Sequence, residues 1–147
     1  LDATVPDELL NTGFSYAAAV FHASDIPTER REEIWNLWET NMRTLTEPSS
    51  FGWDPDEKKE ELFHADARYI LLCSGEQGTL VAFTTFRFDF DEDVPQLYCY
   101  ELQVSPNYRR CGLGQWLVEK VKVITKHYRM QQILLTVLKG NTRAYLQ

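Results

Sequence analysis

One short stretch, Arg109-Arg110-Cys111-Gly112-Leu113-Gly114, constrains the fold of this chain more than any other feature. It follows an alternating, strand-like run from Gln96 to Val104 and opens a helix-like run from Gly114 to Arg129. A change of period from two to 3.6 across a glycine-rich turn marks a strand passing into a helix. A short apolar run at 132–137 then supplies a returning strand. A strand–helix–strand crossover needs a sheet with a helix packed on it, so the chain is expected to be α/β. Glycines admit a close approach of backbone to an anion, and the free N–H groups of a helix N-terminus point at it. Arg109 and Arg110 add fork-shaped donors. The stretch lacks the Gly-Lys-Ser/Thr of a Walker loop, and its glycine spacing is not that of a dinucleotide fingerprint. The competing reading is a tight turn capped by two surface arginines.

Upstream, the pattern gives an extended segment over 13–23 and a turn at Ser24-Asp25-Ile26-Pro27, with Pro27 suited to a helix start. A helix is expected over Thr28 to Leu45, its apolar stripe formed by Ile34, Trp38, Met42 and Leu45. Pro48-Ser49-Ser50 breaks it. A second, highly charged helix is expected over Asp54 to Phe63, with an acidic first turn that suits the helix dipole. Strands follow at 68–73, 79–89 and 96–104, joined by a loop at 74–78 and an acidic loop at 90–95. They read as an antiparallel meander. The crossover helix buries Leu117, Val121 and either Val123 or Ile124, and Asn141 begins a last helix.

The 147 residues amount to one domain, with no repeat or linker and a core that needs no staples. No apolar run approaches the ~20 residues of a membrane helix, so no membrane partner is expected. Charge is split: residues 1–103 hold 21 acids against 7 Lys/Arg, whereas 104–147 hold 1 acid against 8. A net charge of -7 makes general nucleic-acid binding a poor fit. One end suits an anionic ligand and the other a cationic one, unless the basic end is only a solvated helix face. Cys73, Cys99 and Cys111 form neither a disulfide framework nor a zinc motif, and they read as buried thiols in a reducing compartment. No metal is expected.

The RRCGLG loop, preceded by LQVSPNY, resembles the acetyl-CoA-binding segment of the GNAT acyltransferases. Together with NMRTL, FGWDPDEKKEE, VAFTTFRFDF, LYCYELQ and LLTVLKGN, it resembles the NatD branch of that family, the histone-specific N-α-acetyltransferases. The resemblance spans about Trp35 to Tyr145 and implies a GNAT fold: a mixed, mostly antiparallel central sheet flanked by helices. It implies acetyl-CoA as cosubstrate and histone N-terminal tail peptides beginning Ser-Gly-Arg-Gly as acceptors. It further implies a monomer resident in nucleus and cytoplasm. GNAT proteins continue into two more strands, so the single domain 1–147 is expected to be C-terminally truncated.

The resemblance also implies roles. Arg109, Arg110, Gly112, Leu113 and Gly114 hold the coenzyme's pyrophosphate, and Leu102, Gln103 and Val104 offer strand backbone to its pantetheine arm. Thr136 and Asn141 fall where further coenzyme contacts sit, and Tyr145 is the candidate proton donor, with Tyr100 the fallback. Independently, an amine must lose its proton before attacking a thioester, and Glu101 beside the proposed groove is a reasonable base. The alternative is a half-buried Glu101 at a strand end paired with an arginine such as Arg87. Tyr98 and Tyr100 lie on the face opposite Glu101 in a regular strand and read as core packing there, whereas the resemblance implies a bulge that brings Tyr100 and Glu101 into one pocket. Asp89 is expected to pair with a substrate arginine, beside Asp91, Glu92 and Asp93. Phe51 and Trp53 are expected to wall the peptide, Phe51 standing where NatD proteins carry a first Trp. Two other readings stay open: a GNAT enzyme acting on lysine or small amines, and a catalytically silent module binding coenzyme or histone tails.

Overall fold

The computed structural model describes residues 16–46, 54–74, 78–110 and 112–135. Strand β1 (Tyr16–His22) leads through a 3-10 turn (Ala23–Asp25) into helix α1 (Thr28–Thr46). Helix α2 (Pro55–Leu62) follows, then strands β2 (Arg68–Ser74), β3 (Leu80–Asp91) and β4 (Val94–Val104). A second 3-10 turn (Pro106–Tyr108) precedes helix α3 (Leu113–His127) and strand β5 (Gln132–Leu135). The sheet order is β1-β2-β3-β4-β5. The first four strands are antiparallel, and β5 joins β4 in parallel through the α3 crossover. The expected mixed sheet and its crossover are both present.

Local chemistry sets the helix starts. Asp54 accepts the Glu57 N–H at 3.1 Å and Pro55 opens α2, so an orphan donor is capped and the first φ is fixed in advance. Helix α3 starts differently. Its N-cap is Gly112, at φ +80°, with no side chain to cap the first turn. The left-handed conformation is what glycine permits and other residues resist.

Each face of the sheet carries its own core. Ile34, Leu37, Trp38 and Met42 of α1 and Leu62 of α2 pack with Tyr69, Leu71, Phe83 and Tyr100. Leu113, Leu117, Val121 and Ile124 of α3 pack on the other face with Ile70, Leu72, Val81, Phe86, Leu97 and Cys99. Burying one such aliphatic side chain contributes about 1.5–3 kcal/mol. Ile124, not Val123, takes the fourth place on α3, and Val123 is exposed. Strand β2 is covered on both faces, which explains why its sequence is an unbroken apolar run.

The acidic loop expected at 90–95 is instead a tight turn. β3 runs to Asp91 and β4 begins at Val94, with Asp91 opposite Val94. Glu92 and Asp93 have φ of +49° and +68°, the left-handed pair that a two-residue hairpin turn requires. Neither is the Gly or Asn that usually signals such a turn, so it did not stand out in the sequence. The helix expected from Asn141 lies outside the described residues, as do Phe51, Trp53, Cys111, Thr136 and Tyr145.

Candidate functional site

The bulge that the resemblance implied is in β4. Thr85 faces Glu101 and the next residue, Phe86, faces Cys99, so Tyr100 is the extra residue. Alternation resumes with Tyr100 and Glu101 on the same side, toward α1 and α2. Tyr98 packs against that core, its ring 5.7 Å from the Tyr100 ring and nearly perpendicular to it. Thr85 Oγ1 lies 3.4 Å from the Tyr100 hydroxyl, and the Arg87 guanidinium stacks over the Tyr100 ring at 5.2 Å. Burial pushes the Tyr100 phenol above its ordinary range, outweighing Thr85 and Arg87, so it keeps its proton at neutral pH.

Glu101 is buried at 9% exposure, and its cationic partner is a lysine, not the arginine of the alternative reading. Lys58 Nζ of α2 donates to Oε1 at 2.6 Å, and Trp38 Nε1 of α1 donates to the same oxygen at 2.9 Å. Gln103 Nε2 donates to Oε2 at 2.9 Å. Arg87 is engaged with Tyr100 instead. Oε1 thus holds two donors and Oε2 one, which leaves Oε2 with a lone pair to accept a further proton. Burial works to lower the Lys58 pKa, but Glu101, and then Glu61 at 3.3 Å, outweigh it and hold the ammonium above the ordinary lysine value.

Gln103 projects on the Glu101 side. Its Oε1 accepts from Asn41 Nδ2 at 3.1 Å, and the same nitrogen donates to the Val104 carbonyl at 3.0 Å. Arg109 Nη2 donates to Asn41 Oδ1 at 2.9 Å. Trp38, Asn41 and Lys58 were missed as site residues. Trp38 and Asn41 belong to an apolar stripe and its edge, and Lys58 to a helix that reads as solvated. The only signal was an amide placed three residues after a stripe Trp.

Leu102, Gln103 and Val104 pair with Thr84, Phe83 and Ala82 of β3. The described pairing of β4 with β5 covers only residues 96–99 with 132–135. Among the described residues, the end of β4 therefore has one strand neighbour, and its second edge is open. The loop then turns at Arg110, φ +65°, and at Gly112 into α3. By helix geometry the Leu113, Gly114 and Gln115 N–H groups precede the first intrahelical bond, which Trp116 makes to Gly112. Gly114 lies against Leu102 and Val104, so this helix end sits beside the open strand edge. Arg109 and Arg110 are exposed there. An open strand edge, uncapped helix amides and two guanidinium groups fit an elongated ligand with a pyrophosphate at one end.

Residues 32–145 match the Acetyltransferase (GNAT) family. The chain belongs to the GNAT acetyltransferases. Solved GNAT-type structures share the fold. A putative acetyl transferase from Pyrococcus furiosus is 22% identical, with a TM-score of 0.66 over 90% of this chain and 93% of that one. A ribosomal-protein-alanine N-acetyltransferase from Brucella melitensis is 17% identical, with a TM-score of 0.64 over 88% of each chain. An aminoglycoside acetyltransferase from an uncultured soil metagenomic sample is 16% identical, with a TM-score of 0.65 over 91% of this chain and 84% of that one. GNAT enzymes use acetyl-CoA.

Asp89 lies on β3 on the same face as Arg87, opposite Phe86 and Phe88, which pack toward α3. It is exposed, and its Oδ1 accepts the N–H of its neighbour Phe90 at 2.7 Å. Four residues separate it from Thr85, the partner of Glu101, or about 13 Å along the strand. Asp91, Glu92 and Asp93 form the exposed hairpin end beyond it. Among the described residues, no group of three His, Cys, Asp or Glu side chains is placed to hold a metal.

Proposed function

We propose that this GNAT domain is an N-α-acetyltransferase that moves acetyl from acetyl-CoA to the N-terminal amine of histone-tail peptides beginning Ser-Gly-Arg-Gly. The observation that carries the reading is the bulge at Tyr100. It lets the adjacent Tyr100 and Glu101 share the face that also presents Asp89. An N-terminal amine at Glu101 and a third-residue arginine at Asp89 are two extended residues apart, about 7 Å of chain. The arginine side chain supplies the remaining reach along β3.

Acetyl-CoA supplies an activated thioester. The backbone of Leu102, Gln103 and Val104 orients its pantetheine arm. The amides of Leu113 and Gly114, at the Gly112 cap, hold its pyrophosphate together with Arg109 and Arg110. A backbone N–H near Leu102 polarises the thioester carbonyl. Glu101 takes the proton of the incoming α-ammonium on Oε2, directly or through a water, while Lys58 and Trp38 keep the carboxylate aimed. Tyr145, by its place in the family pattern, returns a proton to the thiolate, and Tyr100 is the second candidate. Phe51 and Trp53 are proposed to wall the peptide. Asp89 pairs with the peptide arginine, and Tyr98 lines its path.

The test is release of free CoA from acetyl-CoA with a Ser-Gly-Arg-Gly peptide, beside the same peptide already acetylated at its N-terminus with its lysines free. Turnover with the free amine alone is the expected result. Turnover with the blocked peptide reassigns the protein to lysine side chains. Acetyl-CoA binding without turnover on either reduces it to a binding module.

A further inference from the structure

Five side chains link the coenzyme loop to the base in one polar chain. Arg109 donates to Asn41 Oδ1, Asn41 Nδ2 donates to Gln103 Oε1, and Gln103 Nε2 donates to Glu101 Oε2. Trp38 Nε1 closes it on Glu101 Oε1. Arginine can only donate and an ionised carboxylate can only accept. The two amides between them are therefore held in a single orientation, with every donor pointing from the loop toward Glu101. Asn41 is the junction, because the same nitrogen also holds the carbonyl of Val104 at the open strand edge. It thus touches the loop, the end of β4 and Gln103, from a helix that belongs to neither loop nor strand.

We infer that Asn41 is a positioning residue that couples occupancy of the 109–114 loop to the orientation of Glu101. The inference rests on the reading of Glu101 as base and of the loop as the pyrophosphate site. A pyrophosphate draws on the Arg109 guanidinium, and the amide at the head of the chain loses or shifts its donor. Gln103 and Glu101 follow, since each has its bonding direction set by the residue before it. Coenzyme binding at one end of β4 thereby sets the base in the middle of the strand. Such coupling through hydrogen-bonded neighbours is read by comparing ligand responses with and without the junction.

The experiment uses ADP, which carries a pyrophosphate and no pantetheine, and so reaches the loop without reaching Glu101. In a proton–nitrogen NMR titration of the whole chain, ADP is expected to move the amides of Leu113 and Gly114 and also the Trp38 indole N–H. In Asn41→Ala, and in Asn41→Asp, which keeps the Arg109 contact but cannot donate to Gln103, the loop amides still move and the indole N–H does not. The spectra report folding of each variant directly. An indole N–H that stays still in the wild type while the loop responds, or that moves equally in both variants, overturns the coupling. Loop amides that ignore ADP overturn the pyrophosphate assignment itself, and the coupling with it. In turnover, Asn41→Ala is expected to lower kcat at saturating substrate roughly tenfold while raising KM for acetyl-CoA. A purely packing role lowers Tm and leaves kcat per folded molecule unchanged.

Discussion

The two faces of this sheet are built by opposite rules. Toward α3, the contacts are mostly aliphatic and aromatic; Thr84 and Cys99 meet each other at 3.1 Å, and the buried Thr125 hydroxyl donates to the Val121 carbonyl of its own helix at 2.8 Å. Burial pushes the Cys99 thiol up to about 11, so it packs there as a small neutral hydrophobe. Toward α1 and α2, the same strands bury a carboxylate, an ammonium, an indole and two phenols, each bonded to a named partner. A buried charge is tolerated only when paired and hydrogen-bonded, and Glu101 is both. One face is held by apolar packing, and the other holds a buried, paired carboxylate. The residue that separates the two rules is Tyr100, since without the bulge strict alternation would put Tyr100 and Glu101 on opposite faces.

The sharpest break between the faces is Glu101→Gln against Leu117→Ala. Glu101→Gln is expected to lower kcat about 10²- to 10⁴-fold, the usual worth of a general base. Leu117→Ala empties part of the α3 core and is expected to cost about 2–5 kcal/mol of stability, with kcat per folded molecule unchanged. Turnover and denaturant melts on both variants measure the contrast. If Leu117→Ala lowers kcat as Glu101→Gln does, the faces are not separable.

A smaller effect sharpens the polar face alone. The folded Lys58 pKa lies above the ordinary lysine value of 10.5, because Glu101 outweighs the burial that opposes it. The stabilisation is therefore complete below 10.5 and lost as the pH rises through the higher folded value. Lys58→Met is expected to cost about 1.5–3 kcal/mol near neutral pH, the worth of a hydrogen bond to a charged group. The gap in Tm between it and the wild type should narrow at the alkaline end. A constant gap up to unfolding would show that Lys58 contributes packing rather than charge.

The architecture was legible because it rests on periods. The stripe Ile34-Trp38-Met42, the alternation of β3 and β4, and the glycine turn into α3 are local patterns, and each fold element followed from one. The bulge was legible only through the family resemblance, which puts the adjacent Tyr100 and Glu101 in one pocket and so demands that the strand slip a residue. The polar chain was not legible. Asn41 and Gln103 are 62 residues apart and meet only when α1 crosses the end of β4. Lys58 stands in PDEKKEEL, where every neighbouring charge reads as solvent-facing, and no local pattern marks the one lysine that turns inward. Glu92 and Asp93 hid a hairpin turn behind residues that rarely adopt it.

The smallest expected effect concerns the outer end of the polar face. Asp89 is exposed, so its pairing with a substrate arginine is screened and worth at most about 1 kcal/mol. Asp89→Asn is expected to raise KM for a Ser-Gly-Arg-Gly peptide about threefold on that scale, with kcat unchanged. The comparison peptide carries alanine at its third position. It should bind the wild type more weakly and lose nothing further in Asp89→Asn, because the charge that Asp89 meets is already gone. An equal loss on both peptides would mean that Asp89 acts through the general field of Asp91, Glu92 and Asp93. The polar face would then recognise the amine at Glu101 without reading the arginine two residues on.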